Sequence, residues 1–338
     1  MLKETTRINL TLPRSWNQCT TEQLETIAAC IIKCTALADR YHPFDWMDVK
    51  SELFFLLTET EIIREEPTDD PDDTVYVCRL AKRRSRFRLP SRRSSRMSLY
   101  HSDAANTEFR IHTWQVQYWI DSHLSWLDDE KQTLISFPYK QLISTRRWQW
   151  RWPFVKTEYL SPSELLQDFT WERYRHLQDY MSMYVDQQNA LVKTASRRHD
   201  KEQLMEQRTA LADTRNEFLT VLFGGGSSVP PDGMAIARRK VSQVGEVQWQ
   251  VILLWWSGMM HYLMQHFPRC FTSTTTKKNP KRPPNPFSLY TSIVTTIQDK
   301  AHIDEEKINA QTYTIVLEHL ERIAKENEEI EKINRKHK

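Results

Sequence analysis

The fold of this chain is decided by a helix-start pattern that occurs twice, as Cys19-Thr20-Thr21-Glu22-Gln23-Leu24 and as Phe169-Thr170-Trp171-Glu172-Arg173-Tyr174. In each copy a threonine can cap the first turn of a helix, and a glutamate follows where the helix dipole favours negative charge. Thr20 and Gln23 also have the spacing of a capping box. Apolar residues recur with helical spacing after both copies. The pattern therefore predicts two helical segments, and it carries no enzyme signature.

Composition places the chain among globular proteins. Its 338 residues are enough for two or three small domains, and a hydrophobic content of 39% can fill their cores. The formal net charge of +3 is too small to make the whole chain a binder of polyanions. Five cysteines without framework spacing predict a reducing compartment. The first residues lack a signal-peptide pattern, and the apolar run at 251–260 is short for a membrane span, so we expect a cytoplasmic protein.

Glycine usage excludes nucleotide-binding folds. All six glycines lie between Gly224 and Gly258. A dinucleotide fingerprint or a Walker loop needs glycines directly after a strand, so that backbone N–H groups can approach phosphate. The single glycine run, at 224–233, contains two prolines and lacks the Gly-Lys-Ser/Thr ending. It predicts the end of a helix and a flexible linker.

The first half of the chain mixes strands with helices. Alternation at Arg7–Pro13 predicts a short strand, and helical spacing predicts a packed antiparallel pair of helices from Leu24 and from Trp46 to Ile63. The acidic run from Glu59 to Asp73 is interpreted as a solvated loop, partly neutralised by neighbouring arginines. Beyond it we predict strands at 74–80 and 85–90 that form a hairpin, a mobile loop at 91–107, a helix at 114–127 and a strand at 147–154.

The second half predicts helices almost throughout. Apolar stripes run along 171–191, 204–222 and 244–262, and the third of these is the expected centre of the core. A last charged helix is expected from about Asp304 to Lys336, with Tyr313, Val316, Leu320 and Ile323 on one side.

The predicted fold class is therefore mainly α: a multi-helix protein with a short N-terminal strand and a small β-hairpin or strand insertion. The expected segments are 1–73, an N-terminal strand and helical pair; 74–160, a basic hairpin, mobile loop, short helix and Arg/Trp strand; 161–272, a helical core with the Gly/Pro linker at 224–233; 273–286, a proline-rich basic linker; and 287–338, the C-terminal charged helix.

Catalytic and metal-binding patterns have little support. Cys30 and Cys34 stand one helical turn apart with His42 nearby, but no second ligand cluster accompanies them, and packing of small thiols explains them better. No hydrolase or metalloprotease signature is present in the sequence. We expect no enzyme activity, no cofactor and no metal.

Two segments are candidates for partner contact. A basic run could neutralise phosphates of a nucleic acid, with an aromatic ring available for stacking, or it could face water or an acidic protein; its residues are Arg79, Lys82, Arg83, Arg84, Arg86, Phe87, Arg88, Arg92, Arg93 and Arg96. A strand with period two predicts an aromatic contact face, formed by Trp148, Trp150, Trp152 and Phe154.

The opening of the chain resembles that of a family of tailed-bacteriophage and prophage proteins, the tail-assembly chaperones. The residues that carry this resemblance are Ile8, Leu10, Leu12, Pro13, Trp16, Thr20, Gln23 and Leu24. The stretch from Asp168 to Tyr180, with the helical segment that ends at Phe223, is similar to the middle region of that family. The resemblance covers about a third of the chain, and it offers no catalytic motif to match.

The resemblance implies a non-enzymatic protein of the bacterial host cytoplasm that binds tail or tape-measure proteins during phage tail assembly. The alternative hypothesis is a nucleic-acid-binding protein of a mobile element that uses the basic segment at 79–96. The two hypotheses differ in whether a salt-sensitive complex with nucleic acid forms.

Overall fold

A computed structural model describes residues 13–38, 43–58, 60–70, 73–80, 108–129, 132–148, 155–195, 201–226, 229, 231–271 and 304–336. Their fold is mainly helical with small antiparallel sheets, which confirms the predicted class. The chain divides into two compact units, one of residues 1–134 with 247–254 and one of residues 135–246 with 255–338. The predictions for 7–12, 81–107, 149–154 and 272–303 lie outside the described residues.

In its described part, the first unit combines helices with one antiparallel sheet, and it also contains residues 247–254 of a long helix. The elements are α1 (Thr21–Leu37), α2 (Trp46–Leu57), β1 (Thr60–Pro67), β2 (Thr74–Leu80), β3 (Phe109–His112) and α3 (Thr113–His123). The predicted capping box of α1 is confirmed: Thr20 Oγ1 accepts the backbone N–H of Gln23 at 3.2 Å, and Gln23 Oε1 accepts that of Thr20 at 2.9 Å. α1 packs against α2, and α2 packs against both β1 and α3.

The sheet changes two of the predictions. β2 is confirmed at 74–80 and lies between β1 and β3, antiparallel to each. Over residues 75–78 both edges of β2 are taken, by β1 and by β3. The partner strand predicted at 85–90 lies outside the described residues, so the hairpin stays a prediction. The acidic run is not a loop at 60–67, where it forms β1, and the second helix ends at Leu57 instead of Ile63.

Arginine side chains form ion pairs with the glutamates of β1. Arg79 Nη2 of β2 lies 2.9 Å from Glu61 Oε2 of β1, and Arg110 of β3 reaches Glu66 at 2.9 Å. Arg64 pairs with Glu66 at 3.0 Å along the same strand. Ion pairs of this kind offset the repulsion between the carboxylates of β1. The predicted neutralisation by neighbouring arginines is thus confirmed for Arg79.

The second unit is built on long helices. Its elements are β4 (Ile143–Trp148), β5 (Val155–Leu160), α4 (Trp171–Ala195), α5 (Lys201–Gly224), α6 (Gly233–Lys240), the part of α7 (Glu246–His266) from Trp255 onward, α8 (Pro268–Phe271), α9 (Glu305–Ala310) and α10 (Tyr313–Lys336). β4 pairs with β5 antiparallel, so the predicted strand begins earlier than expected, at Ile143. α4 packs along α5. Thr170 Oγ1 caps α4 by accepting the backbone N–H of Arg173 at 3.4 Å.

The core of this unit is aromatic. Tyr174 of α4 is fully buried, and its ring stacks on that of Tyr313 with 4.3 Å between centroids. Phe218 of α5 meets Trp256 edge to face at 5.3 Å, and Phe137 meets Trp255 at 4.8 Å. Geometries of this kind add to the apolar burial of each ring.

The glycine run stops α5 as predicted, but its first residues are packed instead of forming a flexible linker. Gly224, Gly225 and Gly226 are buried. A methyl group on Gly226 would stand 2.4 Å from Asp168 Oδ2, and one on Gly225 would stand 2.4 Å from the Val221 carbonyl oxygen. Glycine is required here because the neighbouring atoms leave no room for a side chain.

The predicted last helix is two helices. Between α9 and α10, Thr312 forms an antiparallel β-bridge with Thr170. Trp171 N–H donates to the Gln311 carbonyl at 2.7 Å, and Tyr313 N–H donates to that of Phe169 at 3.1 Å. The break exists because these backbone groups pair with the start of α4, which a continuous helix could not allow.

Candidate functional site

The start of α3 is anchored firmly to the sheet. β3 leads directly into this helix. Thr113 Oγ1 donates to the Thr74 carbonyl at 2.9 Å and accepts the Thr74 N–H at 3.2 Å. Gln115 Oε1 accepts the backbone N–H of His112 at 3.0 Å, and His112 Nδ1 lies 2.7 Å from Asp73 Oδ2. These contacts fix which side of α3 faces the core.

The buried side of α3 is aliphatic. Val116 and Ile120 stand four residues apart and are almost fully buried, and Leu124 continues this stripe after the helix. A spacing of four residues places these side chains on one face of the helix. The residues between them must therefore point elsewhere.

The other side of α3 carries aromatic rings in contact with solvent. Trp114 is 61% exposed, Tyr118 is 67% exposed and Trp119 is 38% exposed. Trp114 and Tyr118 are also four residues apart and thus neighbours on the helix surface, while Trp119 stacks on His123 with 4.7 Å between ring centroids. We call these three residues the α3 aromatic face.

Polar groups border the α3 aromatic face. Gln117 Nε2 donates to Asp121 Oδ1 at 3.1 Å, and Ser122 Oγ donates to the Tyr118 carbonyl at 2.7 Å. Aromatic anchors inside a polar rim are typical of protein interfaces, where tryptophan and tyrosine supply much of the binding energy. Because the helix is already formed, its backbone loses little conformational entropy when a partner binds.

Of the ten candidate residues in the basic segment, Arg79 alone lies within the described residues. Arg79 is exposed near the end of β2, and its guanidinium is held by Glu61. This hydrogen bond is also the main cause that raises the pKa of Arg79 above its usual value. Lys82, Arg83, Arg84, Arg86, Phe87, Arg88, Arg92, Arg93 and Arg96 lie outside the described residues.

Of the four residues in the candidate aromatic strand, the structure describes the backbone of Trp148. Trp148 ends β4, where it pairs with Val155 of β5. Trp150, Trp152 and Phe154 lie outside the described residues. The predicted aromatic face therefore stays a prediction. Among the described residues, α3 carries an exposed aromatic surface.

The residues of the opening motif, where they are described, serve the fold. Trp16 is buried and meets Trp126 edge to face at 5.2 Å, and Leu24 is buried in the core. Thr20 and Gln23 cap α1. These four residues therefore explain how the unit folds, and partner contact must come from others.

The described part of the chain contains thiols and other side chains that are possible metal ligands. It holds no group of three or more His, Cys, Asp or Glu residues arranged to bind a metal ion. Burial raises the pKa of the Cys30 thiol to about 12, with Glu52 adding to the effect, so this thiol stays protonated at neutral pH. None of the helices within the described ranges has the length and apolar character needed to cross a bilayer.

Comparison of the chain with protein-family models, curated proteins and solved structures gives no match. Within the described residues, the α3 aromatic face is the surface with the clearest chemistry.

Proposed function

We propose that this chain acts by protein–protein contact, as a non-enzymatic, chaperone-like protein of phage or prophage tail assembly in the cytoplasm of the bacterial host. The observation that carries the binding role is the exposure of Trp114, Tyr118 and Trp119 on one anchored helix. Exposed apolar surface with a polar border is typical of interaction sites. The assignment to tail assembly rests on the resemblance of the opening motif and of the stretch from Asp168 to Tyr180.

Co-expression with the tail and tape-measure proteins of the same phage or prophage tests the proposal. We expect a tagged chain to co-purify with at least one of them, identified by mass spectrometry. Replacing Trp114→Ala together with Tyr118→Ala should remove the complex, because each truncated aromatic anchor costs about 2 kcal/mol of binding energy or more.

A matched control is Tyr159→Ala, which removes an exposed aromatic ring of β5 in the second unit. This variant should retain the complex, and circular dichroism should show that all variants remain folded. Equal loss of the complex in the control and in the α3 variant would contradict a role for the α3 aromatic face. If no tail or tape-measure protein co-purifies with the wild-type chain, the tail-assembly proposal fails.

The nucleic-acid hypothesis stays a separate prediction for the basic segment. A gel-shift series with increasing salt tests it on the same purified protein. Replacing Arg83, Arg84, Arg86 and Arg88 with glutamine should abolish a salt-sensitive shift if this segment binds phosphates. An unchanged shift, or none in the wild type, contradicts the hypothesis.

A further inference from the structure

A groove in the first unit forms a second surface with its own chemistry. It lies among the C-terminal turn of α1, the helix α2 and the strands β1 and β2, and its volume is about 430 Å³. It is open to solvent, whereas sites for small molecules usually enclose most of the ligand surface. A segment of protein chain that places one side chain into the groove fits this shape better.

The floor of the groove is apolar. The rings of Phe55 and Tyr76 meet edge to face, with 5.6 Å between their centroids. Leu37 and Ile62 stand at its edges with 70% and 37% of their surface exposed. An apolar side chain bound among these four residues would remove water from surface that the unit itself leaves wet.

The rim of the groove is acidic. Asp48, Glu52 and Glu65 contribute three carboxylates to the lining, against the single ammonium group of Lys33. Lys33 Nζ is held by Glu52 Oε1 at 2.8 Å. Among the described residues, no cation is paired with Asp48 or Glu65, so the three carboxylates and one ammonium group of the lining leave it with a net negative charge.

We propose that this groove binds a short segment of a partner protein in which an apolar side chain stands between lysines or arginines. The apolar side chain would cover Phe55 and Tyr76, and the cations would meet Asp48 and Glu65. Complementary charge of this kind selects the partner and its register. The proposal does not rest on tail assembly, because it concerns different residues and is measured without tail proteins.

Fluorescence anisotropy with a labelled peptide tests the proposal on the full chain. The probe is a synthetic peptide with the sequence Lys82 to Pro90 of this chain, which places Phe87 and Leu89 among arginines. We expect saturable binding that weakens by roughly tenfold or more when the peptide carries Ser at both apolar positions, because no apolar side chain is then left to fill the groove. Asp48→Asn with Glu65→Gln should weaken binding about threefold to tenfold and reduce its salt dependence.

The matched control removes the same charge from another place. Glu326→Gln with Glu329→Gln neutralises two exposed carboxylates of α10 in the second unit, and this variant should bind the peptide like the wild type. If both double variants weaken binding equally, only general attraction to an acidic protein is at work and the groove is not the site. Absence of saturable binding overturns the proposal. Binding that appears only after Arg83, Arg84, Arg86 and Arg88 of the chain are changed to Gln also overturns it, because the chain's own segment would then be the occupant.

Discussion

The ammonium group of Lys50 is buried in the first unit, where only 7% of the residue is exposed. Its Nζ lies 2.7 Å from Asp128 Oδ1, and the side chain of Asp128 is 39% exposed. A buried charge is costly without its partner, so Asp128→Asn should lower the free energy of unfolding by about 1–3 kcal/mol, less than for a fully buried pair. Urea denaturation measures the change.

A second substitution isolates the cause of that loss. Adding Lys50→Met to Asp128→Asn removes the unpaired charge and should recover most of the stability, since an apolar side chain is tolerated where a lone ammonium is not. A double variant as unstable as Asp128→Asn alone would show that the carboxylate matters for another reason.

Burial of the Tyr174 hydroxyl should make the stability of the fold depend on pH in the alkaline range. Tyr174 is fully buried, and desolvation raises its pKa well above the usual 10.0. The folded state therefore keeps a proton that the unfolded state releases above pH 10, and stability should fall as pH rises from there, by up to about 1.4 kcal/mol per pH unit for this group. Stability below the unfolded pKa should not depend on this effect.

Tyr174→Phe tests this link. The variant should lose part of the alkaline slope in a series of melting temperatures above pH 10, because phenylalanine has no proton to release. Some slope should remain, since burial also raises the pKa of the Cys19 and Cys78 thiols, to about 12 and about 11. Identical alkaline slopes in the wild type and the variant would refute the assignment.

Among the secondary-structure elements, α1 has a capping box whose contribution to stability can be measured. Thr20→Ala removes the hydroxyl that accepts the Gln23 N–H, and should cost about 1 kcal/mol in the free energy of unfolding. Thr20→Ser keeps a hydroxyl in the same place and should cost much less. Chemical denaturation compares the two variants, and equal losses would mean that the cap contributes nothing.

The two sides of α3 should respond very differently to truncation. Ile120→Ala leaves a cavity beside Val116 and should cost about 2–4 kcal/mol. Trp114→Ala removes a ring that is mostly in water and should change stability by about 0.5 kcal/mol or less. Urea midpoints of the two variants measure this difference. A large loss for Trp114→Ala would indicate that the aromatic face serves the fold instead of a partner.

At the scale of the whole molecule, the second unit is completed by its last segment. Tyr313 is buried against Tyr174, and Arg269 of α8 pairs with Glu321 of α10 at 2.8 Å. Ending the chain before Asp304 exposes this aromatic surface and should lower the melting temperature by several degrees. Calorimetry measures the shift.

A shorter truncation is the matched control. In α10, the side chains of residues 325–330 and 332–335 are exposed. Ending the chain after Ala324 should therefore lower the melting temperature much less, although it removes the partly exposed pair of Arg269 with Glu328. Equal effects of the two truncations would mean that Tyr313 contributes little to the second unit.

Several elements were predictable because local signals determine them. The caps at Thr20 and Thr170, the strand at 74–80 and the long helices follow from neighbouring residues and from periodicity. The strand β1 was not predictable in this way, because Glu61 and Glu66 become acceptable only once Arg79 and Arg110 lie across the sheet. The side of α3 that faces solvent was also not predictable, since Trp114 and Tyr118 are of the same residue types as Trp126 and Tyr174, which are buried.

A mainly helical protein with two capped helix starts, without a glycine motif for nucleotides and without a catalytic signature, follows from the amino-acid sequence. These properties depend on residue type and short spacing, which do not change with the surroundings. The close packing of Gly225 and Gly226, the break of the last helix at Gln311 and Thr312, and the exposure of the α3 aromatic face follow from the packed structure. The reason is physical: each of these features depends on atoms far away in the chain, and burial is a property of the packed unit.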